Sequence, residues 1–317
     1  MSLNEKNIDQ WDPARYISRK IKSIRKEVGE SDVICVAAGD MNSTITATIM
    51  NQAIGSRAKC IFIETGLMRD SETAYTLDLL RNKIGLNIWH SDAKSFFLSR
   101  LHKVVDLSSK IYVINKTFID SLTRSTLDIK AEFKFLASGN WGNSAHDDVG
   151  ESYRNQILNE MNVTLINPLR GLSKSQVLDI AEFLELPREM DDYFSTSIEG
   201  LSEFVMGEIT GMKMSIIREV DYLLNHEIDK LNHPMIDNII PFVSLLETLE
   251  PFSSADGNPG KYAVALKLVV YSNDTSQYKT PLLPEGFWEE ISLKITNMFP
   301  NVSRVFVDVS TTPSGII

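Results

Sequence analysis

Residues 32 to 44 read Asp32-Val33-Ile34-Cys35-Val36-Ala37-Ala38-Gly39-Asp40-Met41-Asn42-Ser43-Thr44. The first six form an apolar run rich in β-branched side chains and too short for a helix, so they read as a central parallel strand buried on both faces. Gly39 and Asp40 then break the run, and residues 43 to 54 carry a helix away from it. A strand, a tight turn and a helix N-terminus in that order make the basic unit of an open α/β sheet, in which ligands sit beyond the carboxyl ends of the strands.

The unit recurs along the chain. Upstream, Asp12-Pro13 suits the cap and first turn of a helix over 11–28, with Ile17, Ile21, Ile24 and Val28 on one face. Downstream, residues 59–64, 87–90, 133–138 and 162–167 read as further strands. Helices are expected near 71–83, 94–104, 117–126, 151–161 and 173–184. The fold class is therefore α/β, an open parallel sheet with helices on both faces. After Leu186-Pro187 the pattern changes. A helix over 214–231, alternating runs near 242–249, 262–271 and 304–309, and a helix over 287–298 indicate a small α+β domain. The expected division is 1–190 and 191–317.

Composition excludes several classes. Thirty-two Lys and Arg against 42 Asp and Glu give a formal charge of −10, so general electrostatic affinity for nucleic acid is not expected. The two cysteines, Cys35 and Cys60, lie inside strands, and five scattered histidines form no ligand cluster, so a thiolate metal site is not expected either. With no secretory-type amino terminus and no window of eighteen apolar residues, the expectation is a cytoplasmic protein without a membrane span.

Four segments together carry a resemblance: residues 36–44, Glu64-Thr65-Gly66-Leu67-Met68-Arg69, Leu136-Ala137-Ser138-Gly139 and Asn167-Pro168-Leu169-Arg170. In this order they are similar to the ATP-pyrophosphatase subunit of GMP synthetase, in the PP-loop (adenine nucleotide alpha hydrolase-like) superfamily. Residues 261–266 and 302–309 resemble that family's dimerisation domain. The resemblance implies a homodimer and a glutamine amidotransferase on a separate polypeptide. It also implies ATP and Mg²⁺ as cofactors, with adenylation of the 2-oxygen of xanthosine monophosphate followed by displacement of AMP by ammonia.

The family's loop, Ser-Gly-Gly-Val-Asp-Ser-Ser, holds the pyrophosphate of ATP. Carried over, Ala38 stands at its first Ser, Gly39 and Asp40 at its glycines, Met41 at Val, Asn42 at Asp, and Ser43 and Thr44 at the two hydroxyls. The resemblance thus implies Asp40, Asn42 and Ser43 at catalytic positions, and Ala38, Gly39, Ser43, Thr44, Glu64, Gly66, Arg69, Gly139 and Arg170 at nucleotide-binding ones. Asp40 and Glu64 are the metal candidates.

The changed positions alter the chemistry. A phosphate cradle needs N–H groups converging at a helix N-terminus. Asp40 adds a negative charge there, and two unit charges about 4 Å apart interact by roughly 4 kcal/mol at an effective dielectric of 20. Asn42 removes a carboxylate that would hold Mg²⁺, and Ala38 removes a hydroxyl. The segment 139–150 lacks the family's lysine and offers only His146 beside Asp147-Asp148, and Thr312 stands where the family's tail has a lysine. Residues 194–201 lack the family's prolines.

Three readings stand at the first turn: Asp40 as a solvated turn residue beside a Ser43 or Thr44 cap, Asp40 as a replacement metal ligand, or retained nucleotide or anion binding by Gly39, Ser43 and Thr44 without efficient turnover. For Glu64 the alternatives are a cap and a magnesium ligand, and for Arg170 a phosphate contact and an ion pair bridging the domains. The sequence points to a GMP-synthetase-subunit-like protein with a degenerate, catalytically impaired site and a binding or regulatory role. The alternative is an active ammonia-using adenylating synthetase.

Overall fold

The computed structural model describes residues 11–132, 134–139, 149–160, 162–187, 198–231, 239–253, 259–272 and 277–310. They fall into two compact units, drawn from Met1–Thr65, Ser71–Ala93 and Asn115–Ser197 for the first, and Gly66–Asp70, Lys94–Ile114 and Ile198–Ile317 for the second. The expected boundary at 190/191 lies outside the described residues.

The first unit is built on five parallel strands: β1 (Val33–Val36), β2 (Ala58–Glu64), β3 (Ile88–Asp92), β4 (Phe135–Ala137) and β5 (Thr164–Ile166), in the order β3-β2-β1-β4-β5. All four residues of β1 are buried, as a strand covered on both faces requires. Helices flank both faces of the sheet. Chain order reverses between β1 and β4, which places the topological switch at the carboxyl ends of those strands.

Local signals set the helices. In α1 (Pro13–Val28) the Asp12 carboxylate accepts from the N–H groups of Ala14 at 2.9 Å and Arg15 at 3.3 Å, while Ile17, Ile24 and Val28 face the core. α2 (Met41–Ile54) starts two residues before the expected helix. α3 (Asp70–Asp78) runs on into a single π-type turn, Leu79–Lys83. Then come α4 (Lys94–Arg100), α5 (Leu107–Asp128), α6 (Val149–Glu160) and α7 (Lys174–Phe183), the last opened by a reciprocal Ser173–Gln176 capping box. α5 begins ten residues earlier than the sequence pattern suggests; Asp106 caps it, accepting from Ser109 N–H at 2.8 Å.

The second unit carries a 3₁₀ turn (Gly200–Phe204), α8 (Gly211–Asp229), β6 (Ile239–Ser253), β7 (Pro259–Ser272), β8 (Gln277–Lys279), α9 (Phe287–Met298) and β9 (Val302–Val307). β6 and β8 pair antiparallel to β7, and β9 pairs parallel to it. Alternation in 262–269 suggests one covered face, yet every residue from Ala263 to Val270 is buried. Two alanines leave little to expose on the second face, and Lys267 is neutralised there by Asp308 at 3.3 Å and hydrogen-bonded to Ser310 at 2.9 Å. Lys110 and Lys213 are buried in this unit too, clamping one segment through the carbonyls of Val205 (2.7 Å), Met206 (3.0 Å) and Glu208 (2.7 Å), with Glu247 paired to Lys213. Burial, and then repulsion from Lys213, push the Lys110 ammonium below its ordinary pKa. Among the described residues, no helix is long and apolar enough to cross a membrane.

Because β1 has no solvent-facing side, Ile34→Ala should cost about 2–5 kcal/mol in denaturant unfolding, the range for emptying a packed site. Leu282→Ala, at a side chain 88% exposed, should stay within about 0.5 kcal/mol of the parent.

Candidate functional site

The candidate site is the turn from β1 into α2. Ala37 N–H still belongs to the sheet, donating to Ile61 O at 3.0 Å. The chain then turns at Gly39, whose φ of +90° favours glycine, and where an added Cβ would lie 2.4 Å from Thr76 Cγ2 of α3. Asp40, extended at φ −73° and ψ 163°, is the N-cap of α2. Its Oδ1 accepts Ser43 N–H at 3.0 Å, and its carbonyl accepts Thr44 N–H at 3.0 Å and the Ser43 hydroxyl at 3.1 Å. Ser43 Oγ in turn accepts Ala38 N–H at 3.2 Å. Both Ser43 donors are thus committed to the turn itself.

Asp40 is 7% exposed, so the solvated reading is corrected: it is a buried carboxylate whose second oxygen has no partner. A carboxylate is stable there because it faces the positive end of the α2 dipole and takes one of the helix's orphan N–H groups. Thr44 Oγ1 and Thr46 Oγ1 are likewise buried without a partner. Gly139, past the end of β4, sits against the same turn, where an added Cβ would fall 2.3 Å from Asn42 O and 2.6 Å from Thr46 Oγ1. Seven of the sequence-derived positions, Ala38, Gly39, Asp40, Asn42, Ser43, Thr44 and Gly139, therefore meet at the switch point.

Most of the remaining candidates have their own partners. Glu64, at the end of β2, pairs with His90 Nε2 of β3 at 3.0 Å. Gly66, with φ +73°, and Arg69 belong to the second unit. There Arg218 donates to the carbonyls of Gly66 and, at 2.7 Å, Met68. Arg69 grips the buried Asp221 through a two-pronged contact, Nε to Oδ2 at 2.5 Å and Nη2 to Oδ1 at 2.8 Å. Arg170 is exposed and lines a separate cleft beside α1. Cys35 and Cys60 face each other across β1 and β2; a hydrogen bond to Cys60 and burial push the Cys35 thiol well above its ordinary pKa, which keeps it protonated and inert. His146, Thr312 and residues 194–197 lie outside the described residues. Among the described residues, no three His, Cys, Asp or Glu side chains are grouped to hold a metal ion.

Thr76, Thr46 and His90 contribute to these environments but belong to none of the motifs read in the sequence. Thr46 lies one turn further along α2 itself, whereas Thr76 and His90 lie on other elements reached only by folding.

A parallel sheet whose strand order reverses at a glycine-containing turn and a helix N-terminus is a nucleotide-binding type of α/β scaffold. Comparison with known proteins narrows the class. The chain is 32% identical, over 97% of its length, to the glutamine-hydrolyzing GMP synthase of Limosilactobacillus reuteri, of which it spans 60%. Other relatives are single subunits of glutamine-hydrolyzing GMP synthase. The chain is 31% identical to the one from Methanocaldococcus jannaschii, over 97% of this chain and 99% of that one. It is 28% identical to the one from Pyrococcus horikoshii, over 96% and 99%. No family model matches. The chain belongs to the GMP synthase family of PP-loop ATP-pyrophosphatases.

Gly139→Ala should displace the Asn42 carbonyl and cost about 1–3 kcal/mol of stability, as overpacking does. A loss below about 0.5 kcal/mol in chemical denaturation would instead show that the β4 exit yields freely.

Proposed function

We propose that this chain is a GMP-synthase-subunit-like protein with a degenerate ATP-pyrophosphatase site, catalytically impaired and used for binding or regulation. The observation that carries this reading is the Asp40 cap. A triphosphate would need the N-terminal donors of α2, and the chain's own carboxylate takes the Ser43 N–H while the Ser43 hydroxyl closes the turn. Asn42 supplies only a neutral amide where a magnesium ligand is implied, and no acidic cluster among the described residues replaces it. As they stand, these residues do not fit magnesium-bound ATP.

The active reading has one observation in its favour, the unpartnered Oδ2 of Asp40, which is an acceptor for a cation. Against it, the same oxygen lies at the positive end of a helix, where a cation is disfavoured. The expected catalytic positions Asp40, Asn42 and Ser43 therefore serve as structural groups of the turn. The domains divide near residue 190, the carboxyl-terminal domain pairs two copies, and a separate glutamine amidotransferase is the partner class implied by the single-subunit relatives. The protein acts in the cytoplasm, without nucleic acid or membrane.

Purified protein incubated with ATP, magnesium, xanthosine monophosphate and ammonium should release almost no AMP and pyrophosphate. Robust release would reject the impaired-site reading in favour of the active synthetase. Light scattering at micromolar concentration should give the mass of a dimer; a monomer there would remove the pairing proposal.

A further inference from the structure

The first unit has a second feature that the Asp40 turn does not use. One stripe of α1, Lys20, Ser23, Ile24 and Glu27, faces the carboxyl end of β5 and the turn after it, Leu165 to Pro168 with Arg170. Between them lies a cleft of about 260 Å³. Drug-sized ligands occupy roughly 300–1,000 Å³, so this space suits a fragment-sized one.

The walls are fixed and their charge is specific. Tyr16 Oη donates to Pro168 O at 2.7 Å, tying α1 to the turn, and Asn167 Oδ1 accepts Leu169 N–H at 2.9 Å, setting the turn's shape. The lining carries two cations, Lys20 and Arg170, and one carboxylate, Glu27, which gives the cleft a net charge of +1 in a chain of net charge −10. The Arg170 guanidinium has no hydrogen-bond or ion-pair partner among the described residues, so its N–H fork is available. Lys20 lies over the Tyr16 ring at 5.3 Å, half-buried, and burial lowers its pKa although Glu27 pulls it the other way. An ammonium in that state gains from an added anion.

We propose that this cleft binds a phosphate monoester or free phosphate, gripped by Arg170 and Lys20 with the Ser23 hydroxyl as a third donor. A carboxylate would be satisfied by the guanidinium fork alone. A cleft lined by a guanidinium, an ammonium and a hydroxyl from two walls offers more donors than a carboxylate uses, as a tetrahedral dianion requires. Glu27 sets the affinity limit by opposing the second negative charge. The proposal goes beyond the reading of the Asp40 turn and does not depend on it.

The test is calorimetric titration of the full chain with inorganic phosphate, and separately with ribose 5-phosphate, at low ionic strength and without ATP or magnesium. Saturable binding with a dissociation constant of about 0.1–1 mM is expected. Arg170→Ala and Lys20→Gln should each weaken it about tenfold or more, while Glu27→Gln should tighten it. Saturable binding of either compound supports the site: tighter binding of the ester identifies the monoester as the ligand, and tighter binding of inorganic phosphate identifies the free anion. No saturable binding, or binding unmoved by Arg170→Ala, overturns it. Because Asp40 is unaltered throughout, a negative result leaves the impaired-site reading intact. Arg170 is exposed, and an unchanged circular dichroism spectrum of each variant excludes misfolding as the cause of a loss.

Discussion

A single buried carboxylate decides how the candidate site is understood. Asp40 sits at the start of α2, accepts the Ser43 N–H and leaves its other oxygen without a partner. A side-chain cap contributes about 0.5–2 kcal/mol, and a negative charge beside a helix N-terminus about 0.3–1 and up to about 2 where partly buried. Leaving a buried polar oxygen unpaired costs about 1–3 kcal/mol. The two roughly offset, so the carboxylate is tolerable as structure without being strongly stabilising. For a phosphate brought to the same place the balance is different. Repulsion of about 4 kcal/mol at 4 Å, uncompensated, corresponds to nearly a thousandfold loss of affinity.

The scaffold around that turn does not depend on a ligand. β1 is held by burial on both faces and by parallel pairing to β2 and β4. Gly39 and Gly139 are required by Thr76 and by the Asn42 carbonyl, which are the chain's own atoms and not a ligand's. In the second unit, Arg69 is paired with Asp221 and Arg218 with the carbonyls of Gly66 and Met68, so both cations hold local structure. A fold and its glycines persist under packing constraints alone, and activity has to be argued from the site.

Much of the architecture was legible because it rests on short-range signals. The apolar run 32–37, the Asp12-Pro13 cap and the Ile17, Ile24 and Val28 stripe are local, and each produced the element expected. The first half of α5 was not legible: Ile111-Tyr112-Val113-Ile114 has strand-like composition, and Asp106 as its cap becomes persuasive only once the helix is known. β8 spans three residues and has no pattern to read. At the site, sequence placed six residues, Ala38 to Asp40 and Asn42 to Thr44, on one turn, but it misjudged the burial of Asp40, because burial is set by elements that pack there only once the chain has folded. Lys20 and Ser23 gave no sign of a cleft, because its other wall lies more than a hundred residues away in the chain.

The most direct measurement is calorimetric titration of ATP with magnesium into the unaltered protein and into the Asp40→Gly, Asn42→Asp double variant. The account predicts little or no heat of binding for the parent and saturable binding for the variant, in which the internal anion is gone and a metal-holding acid is restored. Tight, magnesium-dependent ATP binding by the unaltered chain, undiminished relative to the variant, would contradict it.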